Sequence, residues 1–278
     1  MELTYTIKYD TLFSYKQYVR QVIIIFSETV QLIGAGTHIT VSKDWNFVDT
    51  VQTCRIYYVH DGQASYHSNT ELITLQKGYL YFFPPNLPFQ AYSDLKKPLT
   101  HTFFDFIMWP PIIMDHVLCI DTNTFPCFNH LIAAADDILS RTSGFYRTHE
   151  LHKNDPTPLI CCLNSIINCL PLAVPDIQYV SDPDILEALN QIHTNYPANL
   201  NIRQIASSLG YHEDSFIRKF KKTMHITPYQ YLKSIRLIKA QQLRREGLTY
   251  AQISDAVGYT DAASLCHAMK KSIFDNNL

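Results

Sequence analysis

Two stretches of this chain repeat each other. Ile205-Ala206-Ser207-Ser208-Leu209-Gly210-Tyr211 is matched by Ile253-Ser254-Asp255-Ala256-Val257-Gly258-Tyr259. In each copy, apolar residues at helical spacing run into a glycine, which enters a left-handed turn without steric cost. A second helix follows each turn, with one inserted residue: Phe216…Phe220-Lys221-Lys222 in the first copy, Leu265…Met269-Lys270-Lys271 in the second. A helix, a glycine turn and a helix, occurring twice, restrict this part of the chain to a small helical domain. The apolar residues of each unit hold its two helices at a steep angle. The outer face of each second helix is left free to enter a DNA major groove.

The punctuation around the repeats agrees. Asp182-Pro183 can open a helix whose buried face is Ile185, Leu186, Leu189 and Ile192. Asn201 can cap a short helix to Leu209, and a further helix is expected from about Glu213 to Lys222. Thr227-Pro228-Tyr229-Gln230 combines a capping box with proline at the first helical position, opening a long helix to about Arg245. Thr249-Tyr250-Ala251-Gln252 repeats the box, and a last helix is expected from about Ala262 to Lys271. Residues 202–274 carry 12 Lys+Arg against 5 Asp+Glu, whereas residues 1–181 carry 11 against 16. A basic half joined to a slightly acidic one argues for a polyanionic partner at one end only. In the first unit Phe216 and Phe220 should face inward, with Asp214, Ser215, Ile217, Arg218, Lys219, Lys221 and Lys222 available to DNA. Arg218 suits a bidentate guanine contact, and Lys221 and Lys222 suit phosphates. The matching positions of the second unit are Ala263, Ser264, His267, Lys270 and Lys271.

Composition bounds the rest. Of 278 residues, 46% are hydrophobic and 17% charged, with a net charge of -2. That is enough apolar material for two folded domains and too little charge for wholesale disorder. No apolar run reaches the length of a membrane span, and Met1–Asp10 has no signal-peptide pattern, so a cytoplasmic protein is expected. The seven cysteines are odd in number, include adjacent Cys161-Cys162 and form no CxxC pair, which reads as reduced thiols rather than a disulfide or zinc framework.

The first half reads as strands. Val22–Phe26, Cys54–Val59, Tyr79–Phe83 and Thr102–Ile107 are rich in β-branched and aromatic residues, separated by Asp61-Gly62, Lys77-Gly78 and Pro84-Pro85-Asn86. An antiparallel sandwich or barrel is expected. Leu131, Ala134, Ala135 and Ile138, then Leu159, Leu163, Ile166, Ile167 and Leu170, mark two helices. These either cover a sheet face or pair with a second copy of the chain. Pro171, Pro175 and Pro183 then bracket an extended connector. The expected organisation is residues 1–110 as a sensing β-domain, 111–171 as a helical packing or dimerisation segment, 172–182 as a linker, and 183–278 as the helical domain.

At these residues the sequence resembles a known family. Ile205–Lys222, then Thr227-Pro228…Tyr231-Leu232…Arg236-Leu237…Ala240…Leu243, then Ile253–Lys271 are similar to the DNA-binding domain of the AraC/XylS transcription regulators. The resemblance implies a bacterial activator or repressor, a homodimer, with recognition helices in successive major grooves of double-stranded DNA and RNA polymerase as a further contact. Three departures stand out. His212 occupies a capping position where Ser or Thr is common, and His267 stands where Arg is common. The family pattern also continues into a Thr/Ser-Pro segment and closing helix where this chain reads Ser272–Leu278, so the second unit is expected to lack part of its core.

Arg55–Gly62 and Leu75–Asn86 resemble the sensor domain of the same regulators, a small cupin-type β-barrel. The implied fold is multidomain, a cupin-like antiparallel barrel with two following helices and then an all-α domain. The implied ligand is a small molecule such as a sugar. Alternation places His101 and Phe103 on one strand face. They match positions that meet the sugar in a sugar-responsive member of the family, where Asp61 replaces an arginine. The resemblance also allows an N-terminal arm, Met1–Tyr18, to close over the pocket. No metal or cofactor is expected: His60 and His67 are seven apart, Glu71 is alone, and there is no His-x-His. GxSxG, GxxxxGK[ST] and HExxH are also missing. The rival reading is a cupin-type metal-dependent isomerase or oxygenase carrying a helical domain.

Overall fold

The computed structural model describes residues 30–41, 53–67, 72–85, 87, 90–94, 96–114, 116–141, 145–147, 155–197 and 200–274. The expected strand Val22–Phe26, the arm Met1–Tyr18, Glu71 and Asn86 lie outside these residues.

The first half forms strands β1 (Val30–Thr40), β2 (Cys54–Asp61), β3 (Gln63–His67), β4 (Leu72–Gln76), β5 (Tyr79–Phe83), β6 (Gln90–Ser93), β7 (Thr100–Met108), β8 (Ile112–Ile113), β9 (Leu118–Asp121) and β10 (Phe145–Arg147). A six-stranded sheet runs in the order β10-β1-β7-β2-β5-β9, and a three-stranded sheet in the order β4-β3-β6. All the pairings are antiparallel. Side-chain alternation gives the larger sheet two buried faces. Tyr57, Val59, Tyr81 and Phe83 share a core with Ala64, Tyr66, Leu75 and Ala91 of the smaller sheet. Ile56, Leu80, Phe82, Phe104 and Phe106 face helices α1 (Pro126–Ser140) and α2 (Thr157–Ala173). This is why Tyr79–Phe83 is apolar throughout rather than alternating. Gly62, at φ 75°, is needed at its turn because a Cβ there would lie 2.1 Å from the Pro98 carbonyl oxygen.

The two helices cover the sheet, with one difference from the sequence reading. The buried stripe of α1 is Phe128, Ile132, Ala135 and Leu139, while Ala134 is exposed and Leu131 and Ile138 flank the core. The large ring of Phe128 takes the central position and rotates the helix by about one residue from the expected stripe. In α2 the expected Leu159, Leu163, Ile166, Ile167 and Leu170 are the buried set. The helix also passes through Pro171 to Ala173, because a proline in the last turn forfeits only one ladder hydrogen bond.

The second half is helical: α3 (Pro183–Asn195), α4 (Ile202–Ser208), α5 (Glu213–Met224), α6 (Pro228–Arg245), α7 (Tyr250–Val257) and α8 (Ala262–Phe274). The side chain of Asp182 accepts from the amides of Asp184 and Ile185, and that of Asn201 from the amide of Arg203. Thr227 and Gln230 bond reciprocally, as do Thr249 and Gln252. Two cores result. Ile185, Leu189, Ile205, Phe216 and Phe220 close on Tyr231, Leu232 and Ile235. Ile253, Val257, Leu265 and Met269 close on Ala240, with Leu237 and Leu243 beside them. The long helix α6 therefore belongs to both. Between the halves, β11 (Gln178–Tyr179) pairs with β8 within the expected connector, and Trp109 and Ile113 pack against the first helical core.

Candidate nucleic-acid interface and sensor face

Helix α5 shows how the sequence divides its two faces. Phe216, Phe220 and Met224 are buried, and Asp214, Arg218, Lys221 and Lys222 are exposed. Ile217 is half-buried against the core, and Ser215 accepts from Arg218 Nη2 at 3.4 Å. Lys219 goes elsewhere. Its ammonium lies 2.5 Å from Asp184 Oδ2 and 3.1 Å from Asp182 Oδ2, and donates to the Tyr211 hydroxyl at 2.8 Å. The Asp184 carboxylate first, then Tyr211, hold the Lys219 pKa above the usual lysine range. Lys219 thus pins α5 to the start of α3, and the outward cations are Arg218, Lys221 and Lys222. His212 makes no side-chain cap, while Glu213 and Asp214 in the first turn complement the helix dipole.

The second unit differs at its start. Asp261 accepts from the Ser264 amide at 2.6 Å and from the Ser264 hydroxyl at 3.1 Å. The Ser264 amide is the main cause of an Asp261 pKa below the usual carboxylate range. Ala263, Ser264 and His267 are exposed on α8, and Lys270 and Lys271 follow within the helix. Asp261 stands just before the first residue of its helix and caps it, a signal carried locally by an aspartate at that position. Gly258, at φ 78°, sits where a Cβ would meet the Pro197 oxygen at 2.7 Å and Arg236 Nη2 at 2.9 Å. Arg236 in turn donates to the Tyr196 carbonyl at 2.9 Å. The second turn is thereby seated on the chain that follows α3.

In the β-half, His101 and Phe103 do share a face, with ring centroids 5.9 Å apart. Tyr57 joins them, 4.4 Å from His101 and 6.5 Å from Phe103. His101 is 3% exposed, and burial pushes its pKa down to about 3, opposed by a hydrogen bond with the Ile39 backbone. Asp61 is exposed at the end of β2 opposite Thr100, and among the described residues no hydrogen bond or ion pair joins it to either ring. Arg55 and Asp105 form a two-point ion pair across β2 and β7, at 2.6 and 3.2 Å. Arg55, Tyr57 and Asp105 were missed in the sequence. Their signal was the period of two that they share with Phe103 on paired strands.

A β-rich half joined to two helix-turn-helix units on a common helix defines a DNA-binding transcription regulator. Residues 180–273 match a protein-family model described as a helix-turn-helix domain. Over 227 residues, 77% of this chain and 79% of the relative, the sequence is 20% identical to the Msm operon regulatory protein of Streptococcus mutans. Over 83 residues, 30% of each chain, it is 32% identical to the lactose operon transcription activator of Staphylococcus xylosus. The fold is similar to that of ToxT from Vibrio cholerae O395, with a TM-score of 0.56 at 10% identity, covering 90% of this chain and 99% of that one. ToxT from strain SCE256 with an unsaturated fatty acid bound is similar over 87% and 90% of the two chains, with a TM-score of 0.51 at 11% identity. Residues 180–273 therefore carry a helix-turn-helix domain, and the relatives matched in sequence are named as operon regulators. Among the described residues no helix is long and apolar enough to cross a membrane.

Proposed function

We propose that the chain is a ligand-responsive, sequence-specific regulator in which α5 and α8 enter successive major grooves about 34 Å apart. The observation that carries this is the pair of helix-turn-helix units built on one rigid helix, α6, with Arg218, Lys221 and Lys222 exposed beside a buried aromatic core. Asp214, Ser215, Ile217 and Arg218 would face base edges, and Lys221 and Lys222 phosphates. Ala263, Ser264, His267, Lys270 and Lys271 would form the second reading face. Residues 1–110 would sense the effector as a cupin-type barrel, 111–171 would pack on it and contact a second copy, 172–182 would connect, and 183–278 would bind DNA. Tyr57, His101 and Phe103, rimmed by Arg55–Asp105, would meet the effector, with Asp61 at the mouth. Aromatic faces beside polar groups suit a sugar, and the lactose operon relative favours that class. A fatty acid, as in the ToxT structure, is the second reading, and its carboxylate would have to compete with Asp105 for the Arg55 guanidinium. The relatives are named as regulators rather than enzymes, which sets the isomerase reading aside. A cytoplasmic homodimer that touches RNA polymerase completes the proposal.

The test is selection of duplexes from a random pool by the full-length protein at physiological salt. Two enriched patches about 10 bp apart are expected. No enrichment from folded protein would overturn the reading.

A further inference from the structure

Three register shifts flank β7, and two of them lie beside Thr100–Phe103. On one side, the register with β1 jumps from Gly36↔Phe103 to Ile39↔His101, so Thr37 and His38 together oppose Thr102. His38 has φ 52°, a left-handed conformation that costs a non-glycine residue stability. On the other side, the register with β2 jumps from Val59↔His101 to Asp61↔Thr100, leaving His60 as the extra residue. Each neighbour of β7 therefore carries a bulge there, and each of these two bulges delivers a histidine. Bulges re-aim side chains, and here they bring two rings from different strands into a parallel stack with centroids 4.1 Å apart. Asp136 of α1 lies against them. Its Oδ1 accepts from Thr37 Oγ1 at 2.7 Å and from Thr102 Oγ1 at 2.5 Å, and its Oδ2 is 3.5 Å from His60 Nε2. One ligating atom from each of His38, His60 and Asp136 lies within 4.8 Å of the other two.

We propose that His38, His60 and Asp136 bind one divalent transition-metal ion of the zinc type. Two imidazoles and a carboxylate are the donors such an ion takes, and three protein ligands leave a fourth position for water. The threonine hydroxyls already hold Asp136 by Oδ1, which fixes the carboxylate and presents Oδ2; partners of this kind orient ligands at metal sites. Tetrahedral ligands about 2 Å from zinc lie about 3.3 Å from each other, so binding draws the three groups together by a turn of the imidazole rings, which releases or reorients the bonds of His38 Nδ1 to Thr37 Oγ1 at 2.8 Å and of His60 Nε2 to Thr102 Oγ1 at 2.7 Å. His60 and Asp136 are partly buried, with side chains 17% and 16% exposed, so an ion can reach them. The site lies on the helix-covered face of the sheet, opposite His101 and Phe103. It would tie β1 and β2 to α1, and it does not rest on the effector reading.

The experiment uses the full-length reduced protein, titrated with Zn²⁺ by calorimetry and with Co²⁺ by visible spectroscopy. One ion per chain, a rise in melting temperature, and a cobalt spectrum without thiolate charge transfer are expected. His38→Asn keeps a residue that tolerates the left-handed backbone, and Asp136→Asn keeps acceptors for the threonines. Each should weaken Zn²⁺ at least about tenfold, whereas His67→Ala, an exposed histidine on β3, should not. No binding by the wild-type protein, unchanged affinity in both variants, or a thiolate-dominated cobalt spectrum would each overturn the site. If either variant fails to fold, the cobalt spectrum of the wild type decides.

Discussion

At the scale of single residues, chemically alike side chains have been given different work. Lys219 and Lys222 both stand on α5, but Lys219 closes an ion-pair cluster with Asp182 and Asp184 while Lys222 is exposed. Lys219→Ala should therefore lower the melting temperature of the helical half, measured by circular dichroism. Lys222→Ala should leave melting unchanged, weaken binding to all DNA sequences alike, and lower the salt slope by about 1. Arg218→Ala should instead cost ~1–3 kcal/mol of binding and relax preference at one base position. Histidines supply a second contrast. His193 bonds to the Tyr231 hydroxyl at 2.8 Å, packs edge-on to Trp109, and is pushed down to about 4 by burial and then by the Lys239 charge. His101 is pushed down in the same way. An unfolded chain protonates both near 6.5. As pH falls through that value the unfolded state takes up protons that the folded state refuses. Stability is thus full above about 6.5 and declines steadily toward pH 4, with His193 accounting for about 3 kcal/mol of the loss there. Urea midpoints should be flat from pH 8 to about 7 and fall below it, and His193→Gln should flatten part of the fall.

At the scale of elements, local chemistry and long-range pairing were not equally visible. The caps Asp182, Asn201, Thr227 and Thr249, and the turns at Gly210 and Gly258, could be read directly, because each acts on amides within three residues. The stripe of α2 was legible for the same reason. The phase of α1 was not, since the sheet beneath decides which side of a mildly amphipathic helix is buried. The strands Cys54–Val59, Tyr79–Phe83 and Thr102–Ile107 were found from composition, but their register was not. The bulges at His38 and His60 follow from pairing with β7 and leave no local trace. That is why the cluster with Asp136, 76 residues beyond His60, could not be seen from spacing. The two glycine turns also differ in a way the repeat conceals. A Cβ at Gly210 meets nothing within 4 Å, whereas one at Gly258 meets backbone at 2.7 Å. Gly210→Ala should cost only the backbone strain, about 1 kcal/mol. Gly258→Ala should cost about 2–4 kcal/mol, because Pro197 must also move. Chemical denaturation of the two variants side by side gives the difference.

At the scale of the whole molecule, the halves meet through a narrow seam. β11 pairs with β8, the Val180 amide donates to the Pro111 carbonyl at 2.9 Å, and Trp109 reaches His193 with ring centroids 5.6 Å apart. Trp109 directly follows β7, the strand that carries His101 and Phe103. His193 contacts Tyr231 on α6, the helix on which both helix-turn-helix units are built. Strand β7 and the Trp109–His193–Tyr231 contacts therefore connect the proposed sensor face to the helical half. An effector can alter DNA affinity only through a difference in its own affinity for two arrangements of the halves, and that difference must be carried by contacts that change between them. Trp109 is the largest side chain in the seam. Trp109→Ala removes the ring contact but leaves the β8–β11 pairing and Arg218, Lys221 and Lys222 in place. DNA affinity without effector should stay within about twofold of wild type, and effector affinity without DNA should do the same. The change in DNA affinity on saturation with effector should shrink toward nothing. By reciprocity, the effect of DNA on effector affinity should shrink by the same factor. The two titrations are made on one protein preparation. Equal loss in both places the coupling in the seam. Full coupling in the variant would show that the signal travels instead through the arrangement of two subunits.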